Sequence, residues 1–128
     1  MLLVDDNPIN LKILSAYMGK LGFAYEAATN GKEAVEKYMK NHRKFAAVFM
    51  DISMPVMDGL EASRCIRAYE HRSQLDPVPI LTLTGLASDG VRQEALDSGV
   101  DAFLTKPVRL QALSEVMKSM KIYDLCAE

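Results

Sequence analysis

The sequence predicts an α/β fold, a five-stranded parallel sheet with helices on both faces. Three observations predict it. Short apolar runs alternate strictly with segments of helical periodicity, capping residues and glycines punctuate the junctions, and polar residues follow the runs at the same end each time. Strict alternation gives parallel strands because right-handed crossovers return every strand to one direction, and the covering helices then bury both sheet faces.

The first strand is LLV, residues 2 to 4. Asn7 caps the helix that follows, with Pro8 at its first position, and Ile9, Ile13, Tyr17 and Met18 recur at helical spacing up to the left-handed cap expected at Gly22. AYEAA, 24 to 28, reads as the second strand; Asn30-Gly31 then opens a helix striped by Ala34, Val35, Tyr38 and Met39. AAVFM, 46 to 50, is the third strand, followed by a helix bearing Ala62, Cys65, Ile66 and Tyr69. EHRSQLDPVP, 70 to 79, reads as a polar loop before the fourth strand, ILTL, 80 to 83. The fourth helix, about 88 to 97, has only a thin apolar face in Val91, Ala95 and Leu96, and Gly99 ends it. AFL, 102 to 104, is the last strand, and Leu110, Leu113, Met117 and Met120 form the clearest stripe of all.

Composition narrows the function. At 128 residues the chain is one domain with a self-sufficient core, and its net charge of -2 contains no basic run to track nucleic-acid phosphates or an anionic membrane. Its two cysteines, Cys65 and Cys126, make neither a metal pair nor a disulfide framework, which predicts reduced thiols in a cytoplasmic protein. No apolar run approaches the ~20 residues of a membrane span, and MLLVDDN lacks the pattern of a signal peptide.

Parallel strands place their C-terminal ends on one edge, where open α/β sheets carry their sites. Asp5 and Asp6 follow the first strand, Asp51 the third, Thr84 the fourth and Lys106 the fifth. The aspartates are thus expected at the rim of the core. Carboxylates about 4 Å apart repel by ~4 kcal/mol at an effective dielectric of 20, so this cluster favours either a raised pKa or a bound cation. Oxygen ligands of this kind suit Mg²⁺. Lys106 and Thr84 could hold phosphoryl oxygens, and Asp51 is positioned as a nucleophile forming an aspartyl phosphate.

VDDN (4 to 7), MDISMPVMDG (50 to 59), LTLTG (81 to 85) and FLTKP (103 to 107), in this order, resemble the receiver domain of two-component response regulators over essentially the whole chain. Asn7 and Asn10 in VDDNPIN look most like receivers of hybrid histidine kinases. The resemblance implies a flavodoxin-like, doubly wound (βα)5 sheet of order 2-1-3-4-5. It implies that Asp51 is the phospho-acceptor, that Asp5, Asp6, Asp51 and the Ser53 backbone carbonyl arrange Mg²⁺, and that Lys106 contacts the phosphoryl group. Thr84 and Phe103 would form the conformational switch, acting on the surface of the fourth helix, fifth strand and fifth helix. The Lys106-Pro107 bond is expected to be cis. The phosphoryl donor would be a phosphohistidine on a kinase or a histidine-phosphotransfer domain. The chain would then be a signalling domain taking part in its own phosphorylation and dephosphorylation, not an enzyme of steady turnover.

Departures from the receiver pattern spare these residues. The first strand is short, pointing to a piece of a longer polypeptide; Gly85 replaces a frequent alanine, and Ala102 stands where an acid is common. Blander readings are kept for Asp58, a helix cap; for His42 and His71, solvated; and for Met54 and Met57, loop packing. A flavin site is disfavoured because DDNPIN offers a phosphate two carboxylates, and an aspartyl-phosphate hydrolase because Ser53 stands where its second Asp belongs. The remaining alternative is a receiver-like interaction module acting without phosphorylation.

Overall fold

The computed structural model describes residues 1–85 and 89–122. The strands are β1 (Leu2–Val4), β2 (Glu26–Ala28), β3 (Val48–Asp51), β4 (Ile80–Thr84) and β5 (Ala102–Thr105). The helices are α1 (Pro8–Leu21), α2 (Gly31–Lys40), α3 (Gly59–Ser73), α4 (Asp89–Asp97) and α5 (Leu110–Ser119), and a 3₁₀ turn (His42–Lys44) precedes β3. All four strand pairings are parallel, in the order β2-β1-β3-β4-β5. Residue 88, the expected start of the fourth helix, and Cys126 lie outside the described residues.

The expected punctuation is present. Asn7 accepts from the Ile9 N–H at 2.9 Å and Asn30 from the Glu33 N–H at 2.8 Å, satisfying donors that a helix start otherwise leaves unpaired. Gly22 and Gly99 adopt φ of 82° and 88°. Alternation along the strands separates two cores. Leu2, Val4, Val48, Met50 and Ile80 face α2 and α3, while Leu3, Phe49, Leu81 and Leu83 face α1 and α5 through Leu14, Met18, Leu113 and Met117. Fully burying one such side chain is worth about 1.5–3 kcal/mol, so both helix layers are held by the sheet.

Some expectations need correction. The first helix buries Leu14 and Met18, whereas Ile9 and Ile13 are 69% and 43% exposed. PINLKILSAYMGKL is apolar around much of its circumference, so periodicity alone could not select the inner face. The second strand starts only at Glu26. Glu70, read as loop, is a buried residue of α3, accepting from Tyr38 Oη at 2.6 Å, Val78 N at 2.7 Å and Arg67 Nη1 at 2.7 Å. Three donors replace its lost hydration, which lets a carboxylate sit inside. His42 is half-buried rather than solvated, its ring set edge-on to Tyr38 and Tyr69. His71 is exposed, as expected.

Candidate functional site

The C-terminal edge of the sheet carries the site. Asp51 is the last residue of β3 and Thr84 the last of β4, each one residue deeper than expected, and Lys106 follows β5 directly. Asp5 leaves β1 with its side chain fully buried, where Oδ1 accepts from the Asn7 N–H at 2.9 Å. Asp51 is also buried, and Asp6 alone is exposed, so the acids reach deeper than the rim. One carboxylate oxygen from each of Asp5, Asp6 and Asp51 lies within 4.8 Å of the others.

Lys106 ties this group together. Its Nζ stands 3.0 Å from Asp5 Oδ2 and 3.1 Å from Asp51 Oδ1. Its backbone N–H donates to the Thr84 carbonyl at 2.7 Å, and the peptide bond to Pro107 is cis. Burial, reinforced by the Asp5 charge, pushes the Asp51 carboxyl above its ordinary pKa despite the opposing pull of Lys106. For Lys106, burial works against the charge, but bonding to Asp5 and Asp51 outweighs it and raises the pKa. One ammonium therefore leaves the acid cluster short of positive charge. The donor set, all carboxylate oxygen, fits a small hard dication.

The loop from β3 to α3 is shaped by close approaches. Gly59 N donates to the Ile52 carbonyl at 2.8 Å, and a Cβ on Gly59 would fall 2.2 Å from the Asp51 carbonyl oxygen. Gly31 packs as tightly, a Cβ there meeting the Met57 carbonyl oxygen at 2.5 Å. Val56, between them, is 76% exposed at φ of 70°, a rare conformation for a β-branched residue. Asp58 caps α3 by accepting from the Glu61 N–H at 2.8 Å, and Met54 and Met57 pack on the core beneath. Ser53 is exposed in this loop.

The structure thus brings Asp5, Asp6, Asp51 and Lys106 together, with Thr84 joined through the backbone. Phe103 is half-buried on β5, in neither core among the described residues, with the Arg92 guanidinium 4.9 Å above its ring. Sequence reasoning placed Gly59 in the turn after the third strand without its close approach to Asp51, and it missed the Asn7 backbone donor to Asp5 and the Arg92 contact with Phe103. The glycine was legible in principle, since it directly follows a capping Asp; an N–H and an exposed arginine carry no local signal.

The family model described as "Response regulator receiver domain" matches residues 1–118. The peroxide stress-activated histidine kinase mak1 of Schizosaccharomyces pombe is 37% identical over 123 residues, covering 95% of this chain and 8% of that protein. The chain thus spans under a tenth of that kinase. The receiver domain of the Saccharomyces cerevisiae response regulator Ssk1, co-crystallised with the histidine phosphotransfer signalling protein Ypd1, superposes with a TM-score of 0.83 at 38% identity, covering 88% of this chain and 81% of that one. The receiver domain of the Pseudomonas aeruginosa sensor histidine kinase PA1611, which holds a magnesium ion in its active-site cleft, gives a TM-score of 0.80 at 34% identity over 92% and 93% of the two chains. With the acid cluster, the sheet order and these likenesses in agreement, the chain belongs to the response regulator receiver domain family.

Proposed function

We propose that this receiver accepts a phosphoryl group on Asp51 from a phosphohistidine and relays the event through Thr84 and Phe103. The observation that carries the reading is the Lys106 ammonium, 3.0 and 3.1 Å from Asp5 and Asp51 inside a three-carboxylate cluster. Asp5, Asp6 and Asp51, with the Ser53 carbonyl, would hold Mg²⁺, which when bound supplies charge neutralisation for the phosphoryl oxygens. An Asp51 oxygen forms the new P–O bond as the P–N bond to the donor imidazole breaks, and the imidazole leaves with the bond's electron pair. Lys106 then exchanges part of its contact with Asp51 for a phosphoryl oxygen. The acyl phosphate carries about two negative charges where the free carboxylate carried one, which draws the Thr84 hydroxyl inward and frees the side of β4 for Phe103.

The donor side has a matching surface. Ile9 and Ile13 on α1 are exposed next to a cavity of about 160 Å³ lined by Asp5, Asn10, Tyr17, Lys106 and Pro107, among others. A partner with an apolar face, such as a histidine phosphotransfer protein of the kind co-crystallised with the Ssk1 receiver, would rest there with its phosphohistidine over the acids. Two-dimensional NMR during addition of Mg²⁺ and then beryllofluoride, run beside Asp51→Asn, tests the acceptor. Shifts near residues 5, 6, 51, 84 and 106 that require Asp51 are expected. Silence from folded wild-type protein would leave an interaction module that works without phosphorylation.

A further inference from the structure

We propose that Arg92 is a latch on Phe103: its guanidinium, stacked over the ring, holds the aromatic on the α4 side of the sheet and opposes its turn toward Thr84. The inference rests on the reading above, that Thr84 and Phe103 form the switch, and adds the contact that sets how readily the switch moves.

Four features of the fold support it. The guanidinium carbon lies 4.9 Å from the ring centroid, within the range where the ring's quadrupole attracts a cation. Among the described residues the ring is in neither core; it lines a cavity with Arg92, Ala95, Leu96 and Val100, which leaves open space beside it. The β4–β5 register pairs Thr82 with Phe103 and Thr84 with Thr105, which sets Thr82, Thr84 and Phe103 on one face of the sheet. Thr82, fully buried there and opposite Phe103 in the pairing, carries a hydroxyl with no hydrogen-bond partner among the described residues, an unmet polar group on the face that the ring and Thr84 share.

The attachment of α4 makes the latch local. Its C-terminal end is fastened to α3 by two arginines: Arg64 Nη1 donates to Ser98 Oγ at 2.8 Å, and Arg67 donates to the Gly99 carbonyl at 2.9 Å and to Asp101 at 2.8 Å. Upstream, α4 rests on the sheet through Ala95, and Arg92 lies one turn before that residue. With the downstream end fixed, the stack under Arg92 is a contact that α4 gives up when the ring is released. An exposed cation–π pair biases an equilibrium by about two- to five-fold, enough to set a threshold without locking the domain.

The test compares wild type, Arg92→Ala, Arg92→Lys, Phe103→Ala and the Arg92→Ala/Phe103→Ala pair. Ring-labelled NMR of Phe103, without any phosphoryl mimic, reads contact between the ring and the Thr84 methyl. Beryllofluoride titration at fixed Mg²⁺ reads the midpoint of switching, with Asp51→Asn as the blank. Arg92→Ala is expected to raise the inward ring population and to lower the midpoint by about two- to five-fold. Arg92→Lys should keep most of the wild-type behaviour, and Arg92→Ala should change nothing further once Phe103 is alanine. An unchanged ring population, or the same midpoint shift with and without the Phe103 ring, overturns the latch. A ring that moves in Arg92→Ala while wild type ignores beryllofluoride would sustain the latch and remove the phospho-acceptor reading instead.

Discussion

Asp51, the proposed phospho-acceptor, illustrates how a residue placed for chemistry sits against stability. Folding raises its pKa by burial and by the Asp5 charge. Its contribution to stability is therefore full at low pH, below the unfolded value near 3.9, and is lost as pH rises through the raised folded value. At pH 7, without divalent cation, Asp51→Asn should accordingly melt at a higher temperature than wild type while accepting no phosphoryl group. The difference should close on acidification below about pH 4, and a lower melting temperature for the variant at pH 7 would contradict the electrostatic account. Thr82 gives a second case. Replacing its unpaired buried hydroxyl by the methyl of Val keeps the shape and removes an unmet desolvation cost, so Thr82→Val should gain about 1 kcal/mol in denaturant titrations. A loss would mean that the hydroxyl is satisfied after all.

At the level of elements, alternation and caps made the sheet and its helices legible, because strand ends and N-caps are local events written within a few residues. The acid cluster was legible for the same reason: Asp5, Asp51, Thr84 and Lys106 all stand at strand ends. What stayed hidden depends on contacts between distant elements. The inner face of α1 is chosen by the shape of the α5 side of the core, Glu70 reads as polar until Tyr38, Arg67 and Val78 are brought to it, and Arg92 becomes meaningful only over Phe103. The turn from β3 to α3 shows how an element aims a residue. Gly59→Ala would drive a methyl into the Asp51 carbonyl, and overpacking of this kind costs about 1–3 kcal/mol; beryllofluoride binding should weaken with it, since the acceptor shifts. The α2–α3 contact has its own signature in alkali. Burial, helped by the Glu70 bond, raises the Tyr38 pKa well above its ordinary 10. The stabilisation is complete below pH 10 and fades as pH climbs from there, when the unfolded phenol ionises and the folded one does not. Tyr38→Phe should flatten that alkaline decline, as followed by circular dichroism.

For the whole molecule, a cation held by the acid cluster would couple binding to folding. A dication held only by the folded state stabilises it by RT ln(1 + [L]/Kd), about 2.7 kcal/mol at a hundredfold excess over Kd. Mg²⁺ should raise the melting temperature of wild type, a chelator should reverse the gain, and Asp51→Asn should respond less. A response that survived loss of all three aspartates would place the ion elsewhere. None of the helices described is long and apolar enough to cross a membrane. The ion pair between Lys106 and Asp5 joins residues 101 apart in sequence, each just past the end of a strand, β5 and β1, that the sheet order keeps from touching. A chain still assembling holds Asp5 and Asp51 without their ammonium until β4 and β5 have both docked, and such distant pairings form late because closing a long loop must precede them. On the proposed reading, a copy whose fifth strand has not docked lacks the ammonium at its acid cluster and would stay mute in the relay.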